Sequence, residues 1–191
     1  VDPVFKPLVV ITNRDANYAC LLADVTCYEI LWTTEPATKV VRTITMAHFG
    51  ADLVQEVQRS GETHAVVREI VKAALTASPP IASVKQLARS IGLDRRTLWK
   101  HWTGHFDSDE MTMGDLLRWL LLLRALPIKQ AGASWTAAAR AVGVHEDTLL
   151  RIGRRFLDRT PSDLADVEFS TLAERFKSRI RMARIDTLQQ T

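Results

Sequence analysis

At 191 residues the chain has room for one large domain or two small ones, and 47% apolar content can supply a core. The longest apolar run, residues 116–126, is only 11 residues long and holds two arginines, so it predicts a buried helix and excludes a membrane span. The net charge of +3 is unevenly spread: residues 1–63 carry 5 Lys/Arg against 8 Asp/Glu, residues 64–166 carry 15 against 11, and residues 167–191 carry 5 against 3. A polyanionic partner is therefore expected toward the middle and the C-terminus. Residues 1–7 (VDPVFKP) have neither the basic start nor the apolar stretch of a signal peptide. The missing initiator Met suggests a start inside a longer gene product. Cys20 and Cys27 have no zinc or redox spacing, which predicts free thiols and a reducing cytoplasm.

Residues 7–12 (PLVVIT) are β-branched and apolar and predict a buried strand. A turn at 13–15 and a helix over 16–25 follow, then a second strand over 27–33, closed by Glu35-Pro36. Residues 37–60 have helical spacing through Val40, Val41, Ile44, Ala47, Leu53, Val54 and Val57, with a break expected near Gly50. Strand–helix–strand–helix order implies a parallel strand pair with a crossover. After Gly61 a helix is expected over 63–76, ended by Ser78-Pro79-Pro80. Residues 103–110 read as a polar loop. A long apolar helix starts at Thr112 or Asp115 and closes near Gly132. Thr160-Pro161 opens a further helix, and 169–188 reads as a basic amphipathic helix.

Two stretches share one layout: residues 83–102 (SVKQLARSIGLDRRTLWKHW) and 134–156 (SWTAAARAVGVHEDTLLRIGRRF). Each has a capping Ser, a short amphipathic run, a lone Gly, an aliphatic residue and a second helical run, the glycines lying 51 residues apart. This predicts two helix-turn-helix units, whose second helices can enter the DNA major groove. In the first, Val84, Leu87, Ala88 and Ile91 face inward, Leu93 plugs the turn, Asp94 caps, and Leu98 and Trp102 are buried. Arg95, Arg96, Trp99 and Lys100 are left to reach bases. In the second, Ala137, Ala138, Ala141 and Val142 form the inner face, with Leu149, Ile152, Gly153 and Phe156 behind them. Its exposed candidates are His145, Glu146, Asp147, Leu150, Arg151 and Arg154, of which Glu146, Leu150 and Arg151 are assigned to bases. Lys85, Thr97, Thr148, Arg154 and Arg155 are the expected backbone contacts, and the alternative for Arg151 is that, with Arg154, it touches only phosphates. An acidic side chain at that end can cap the helix or accept from cytosine N4.

The stretch 63–166 resembles the DNA-binding domain of the AraC/XylS family of bacterial transcription regulators. The likeness rests on the order of the two units, on a joining helix at 113–131 with Arg118, Leu123, Arg124 and Ala125, and on Thr160-Pro161-Ser162-Asp163-Leu164. Asp158 stands where the family has Gly, and Val144 where it has an aromatic residue. The resemblance implies base contacts at Arg96, Trp99 and Lys100, double-stranded DNA as partner, and RNA polymerase as a further one. Residues 4–60 resemble the second half of a response-regulator receiver domain, with Glu35 in place of the usual Lys before Pro36. This implies a docking or homodimer element within 1–62 and no phosphoacceptor.

The expected architecture is mainly α: an incomplete receiver-like α/β segment at 1–62, an all-helical tandem helix-turn-helix domain at 63–166, and a basic helix at 167–191. His48, His64, His101, His105 and His145 are scattered, and no phosphate-cradling loop, nucleophile elbow or carboxylate pair is present. No catalytic site, metal or cofactor is expected. The leading expectation is a sequence-specific DNA-binding transcription regulator. The competing one is an adaptor that docks on polymerase or another regulator and keeps its helix-turn-helix units as scaffold.

Overall fold

The computed structural model describes residues 8–14, 29–59, 65–77, 79–107, 109–158 and 161–183. The expected helix over 16–25 lies outside these, as do both cysteines. The described chain is mainly helical with one small two-stranded sheet. It divides into two compact units, residues 1–59 and 60–191.

In the first unit β1 (Val9–Thr12) pairs in parallel with β2 (Glu29–Trp32), in a register that sets Val9 opposite Glu29 and Thr12 opposite Trp32. The parallel pairing expected from the element order is present. After β2 the chain turns, with the Glu35 amide donating to the Trp32 carbonyl at 2.8 Å. It then enters α1 (Ala37–Arg59). The expected break at Gly50 does not occur. Gly50 is buried inside a continuous helix whose inner face is Thr43, Met46, Ala47, Leu53 and Val54. Burial of that face outweighs the about 0.5–1 kcal/mol that a mid-helix glycine costs. Val41 and Ile44, two of the apolar positions at helical spacing, are exposed, because the buried stripe passes through Thr43. The Val57 side chain lies outside the described residues.

The second unit is built around one helix. α2 (Ala65–Thr76) buries Val67, Ile70, Val71, Ala74 and Leu75. Two short helix pairs follow: α3 (Val84–Ser90) with α4 (Arg95–Thr103), and α6 (Trp135–Ala141) with α7 (Glu146–Leu157). Between the pairs runs α5 (Met113–Gln130), and after them come α8 (Pro161–Ala165) and α9 (Phe169–Met182). α5 packs against α2, α3, α6, α7, α8 and α9. That explains why Leu116, Leu117, Trp119 and the run Leu120, Leu121, Leu122 and Leu123 are all buried: a helix apolar on every side must be enclosed on every side. Arg124 of α5 donates to the carbonyls of Ala77 at 2.8 Å and Leu75 at 2.5 Å, clamping the end of α2 where the backbone has no partner of its own.

Three expectations change here. The stretch 103–110 is not simply a polar loop: Thr103 ends α4, and Phe106 is buried, its ring stacked on Trp102 at 4.3 Å. The inner face of α6 is Ala138, Ala139 and Val142, while Ala137 and Ala141 are exposed. The C-terminal basic helix is part of the second unit rather than a segment apart. Leu172, Ala173, Phe176 and Ile180 of α9 are buried, Phe176 lies 5.7 Å from the Trp119 ring, and the Asp107 amide donates to the Ala183 carbonyl at 2.7 Å. Among the described residues no helix is long and apolar enough to cross a membrane.

Candidate nucleic-acid interface

The first helix pair is fixed by its caps. The Ser83 hydroxyl accepts from the Gln86 amide at 3.3 Å, while the Gln86 side chain accepts from the Ala82 amide at 3.1 Å. These two bonds satisfy backbone donors at the start of α3. α3 ends at Gly92, whose φ of 69° is one that a side chain resists, and the Leu93 amide closes back on the Ala88 carbonyl at 3.0 Å. Asp94 then starts α4. Its carboxylate accepts from the amides of Arg96 at 2.8 Å and Thr97 at 2.9 Å, and from the Thr97 hydroxyl at 2.6 Å. These bonds, the Thr97 hydroxyl first, hold the Asp94 carboxyl below its ordinary range.

With Leu98 and Trp102 buried, the helix period leaves one outer face to α4. The Trp102 indole donates to the Met111 carbonyl at 2.8 Å, locking the rotation of the helix. Arg95, Arg96, Trp99 and Lys100 are all exposed, Trp99 by 58%. Among the described residues none of the three cations forms an ion pair. Arg95, Arg96 and Trp99 line a groove of about 480 Å³ together with Val84, Thr112, Met113 and Gly114. Lys85 is exposed on α3, and Thr97 is half-buried with its hydroxyl given to Asp94.

The second pair repeats the frame. Ser134 accepts from the Ala137 amide at 3.1 Å, Gly143 has φ 76°, and the Val144 amide returns to the Ala139 carbonyl at 3.0 Å. His145 occupies the cap position of α7 without a side-chain capping bond, so the acidic residues stand in the first turn, where they complement the helix dipole. Glu146 accepts a hydrogen bond from the Thr136 hydroxyl, and His145 lies 3.5 Å from Asp147. Leu149, Ile152, Gly153 and Leu157 are buried. Phe156 is half-buried and stacks on Trp119 at 4.8 Å. Arg151 and Arg154 are exposed, with no ion pair among the described residues, while Leu150 and Thr148 are half-buried.

Arg155, the expected DNA-backbone contact, is exposed and also reaches α5, where it pairs with Asp115 at 3.1 Å. Asp158 has φ 51°, the left-handed conformation that ends α7, which asparagine and aspartate tolerate better than other side-chain-bearing residues. Sequence reasoning missed the Arg155–Asp115 pair, the Arg124 clamp and the Thr136–Glu146 bond. The polar spacing Thr112-x-x-Asp115 was the available signal for a capping box, which forms at the start of α5: Thr112 accepts from the Asp115 amide at 3.0 Å, and Asp115 from the Thr112 amide at 3.4 Å. Among the described residues no group of three or more His, Cys, Asp or Glu side chains could hold a metal ion. No protein-family model, curated protein or solved structure matches the chain.

Proposed function

We propose that the chain is a sequence-specific DNA-binding transcription regulator of tandem helix-turn-helix type, acting in the cytoplasm. The observation that carries this reading is the outer face of α4, where Arg95, Arg96, Trp99 and Lys100 are exposed together at the end next to the Asp94 cap. Arg96 and Lys100 have the chemistry to donate to the O6/N7 edge of guanine, and Trp99 to lie against a thymine methyl or a sugar. α7 has the same relation to its own glycine turn but a mixed face. Its Arg151 and Arg154 suit phosphates, and its acidic first turn suits a cytosine amino group or helix capping. The 18 residues of α5 span about 27 Å, close to the roughly 34 Å between successive major grooves on one DNA face. The first unit would serve as a docking or dimerisation element.

Fluorescence anisotropy with a labelled duplex, titrated with salt, tests this reading. Phosphate neutralisation releases counterions, so log K should fall linearly and steeply with log salt concentration. Binding to a protein partner with no salt-dependent DNA affinity would instead favour the adaptor.

A further inference from the structure

The start of α5 joins the two presented helices through a continuous set of short polar contacts. On one side the α4 indole of Trp102 donates to the Met111 carbonyl at 2.8 Å. The next residue, Thr112, exchanges hydrogen bonds with Asp115, including a hydroxyl–carboxylate contact of 2.7 Å. On the other side Arg155 of α7 reaches the same carboxylate at 3.1 Å, and Arg118 reaches it at 3.0 Å. The Asp115 side chain is only 11% exposed, while its partners Arg118 and Arg155 are 45% and 60% exposed. Next to Arg155 in sequence, Phe156 stacks on Trp119, one helical turn along from Asp115. Arg155 therefore meets a partly desolvated carboxylate that also anchors the first turn of α5. Two arginines compensate that carboxylate, and without it they would face each other.

We infer that Asp115 is a positioning residue that sets the placement of α7 relative to α4, contacting no DNA itself. For DNA the consequence is bivalency. Two reading helices held in one geometry make the second groove contact effectively intramolecular, and loosening the joint lowers that effective concentration while leaving each single contact intact. This consequence rests on the DNA reading above; the joint itself does not.

The test compares the full chain with Asp115→Asn and Arg155→Met on two duplexes, one carrying both half-sites and one carrying only the half-site read by α4. Asp115→Asn should weaken the two-half-site duplex by about tenfold and leave the single half-site within about twofold. Arg155→Met should weaken the same duplex selectively but by less, since Asp115 keeps Arg118 and Thr112, and the double variant should lose less than the sum of the two. Equal losses on both duplexes, or none on either, would overturn the inference. A second arm uses no DNA. Spin labels at Lys100→Cys and Arg151→Cys, with Cys20 and Cys27 replaced by Ser, report the α4–α7 distance. That distribution should be narrow in the parent and broader in both variants. If the parent binds no DNA but the broadening is seen, the DNA reading fails and the joint stands; unchanged distributions sink the joint whatever the DNA result.

Discussion

Replacing Gly153 by Ala reverses the usual sign of a glycine-to-alanine change in a helix. In a helix interior open to solvent the substitution stabilises by about 0.8–1.0 kcal/mol. Gly153 is buried in α7, and a methyl group there would lie 2.3 Å from Leu164 Cδ1, 3.2 Å from Cδ2 and 3.3 Å from Cγ. Leu164 belongs to the short helix α8 and is 1% exposed, so its side chain has no open space to retreat into. Overpacking of this kind costs about 1–3 kcal/mol, and more where three atoms must move together. After the propensity gain is subtracted, the expected net loss is about 0–2 kcal/mol. That corresponds to a fall of up to about 8 °C in Tm. Tryptophan fluorescence suits the assay. Four of the five tryptophans, at 99, 102, 119 and 135, lie in the second unit, and Trp119 stacks on Phe156, three residues from the substitution. Leu164→Ala should open the space, so in that background Gly153→Ala should become neutral or stabilising. A Gly153→Ala protein more stable than the parent would refute the packing argument.

Arg96→Ala should weaken DNA binding and relax specificity at one base pair, by about 1–3 kcal/mol at the preferred base. Arg151→Ala should weaken all sequences alike and flatten the salt slope, both read by anisotropy on matched and mismatched duplexes. Arg124→Leu leaves the carbonyls at the end of α2 without their donor, so urea unfolding should show a loss of about 1–3 kcal/mol. Hydrogen exchange should show the last turn of α2 opening first. The Asp94 carboxyl is held below its ordinary range when folded, so its capping contribution is complete above the unfolded-state pKa and lost as pH falls through the lower folded value. Exchange protection at the Arg96 and Thr97 amides should accordingly persist through mildly acidic pH, then disappear at stronger acid. Asp94→Asn should remove that pH dependence.

The parts of this fold that announce themselves in the chain are those governed by neighbours in sequence. Ser83, Asp94, Thr112 and Ser134 each cap the helix that follows, and Gly92, Gly132 and Gly143 each take positive φ at a helix end, because caps and turns involve only the nearest few residues. What required tertiary contacts was less visible. Alanines in α6 are nearly indistinguishable by composition, so whether Ala137 or Ala139 is buried depends on where α5 lies. Gly50 has the residue type of a breaker, but packing carried the helix through it. Phe106 looked like part of a polar loop until Trp102 stood beside it. At the candidate site the exposed face of α4 follows from the burial of Leu98 and Trp102, four residues apart, and was legible in full. The commitment of Arg155 to Asp115 was not, since it joins residues 40 positions apart across two helices.

The most direct measurement of the central claim is a selection of bound sequences from a pool of random duplex DNA by the full chain. The expected result is enrichment of a bipartite site whose half-site centres lie about one helical turn, roughly 10–10.5 base pairs, apart, with preference relaxed at one base pair of one half-site on Arg96→Ala. A pool that stays random, or that enriches one contiguous half-site alone, would contradict it.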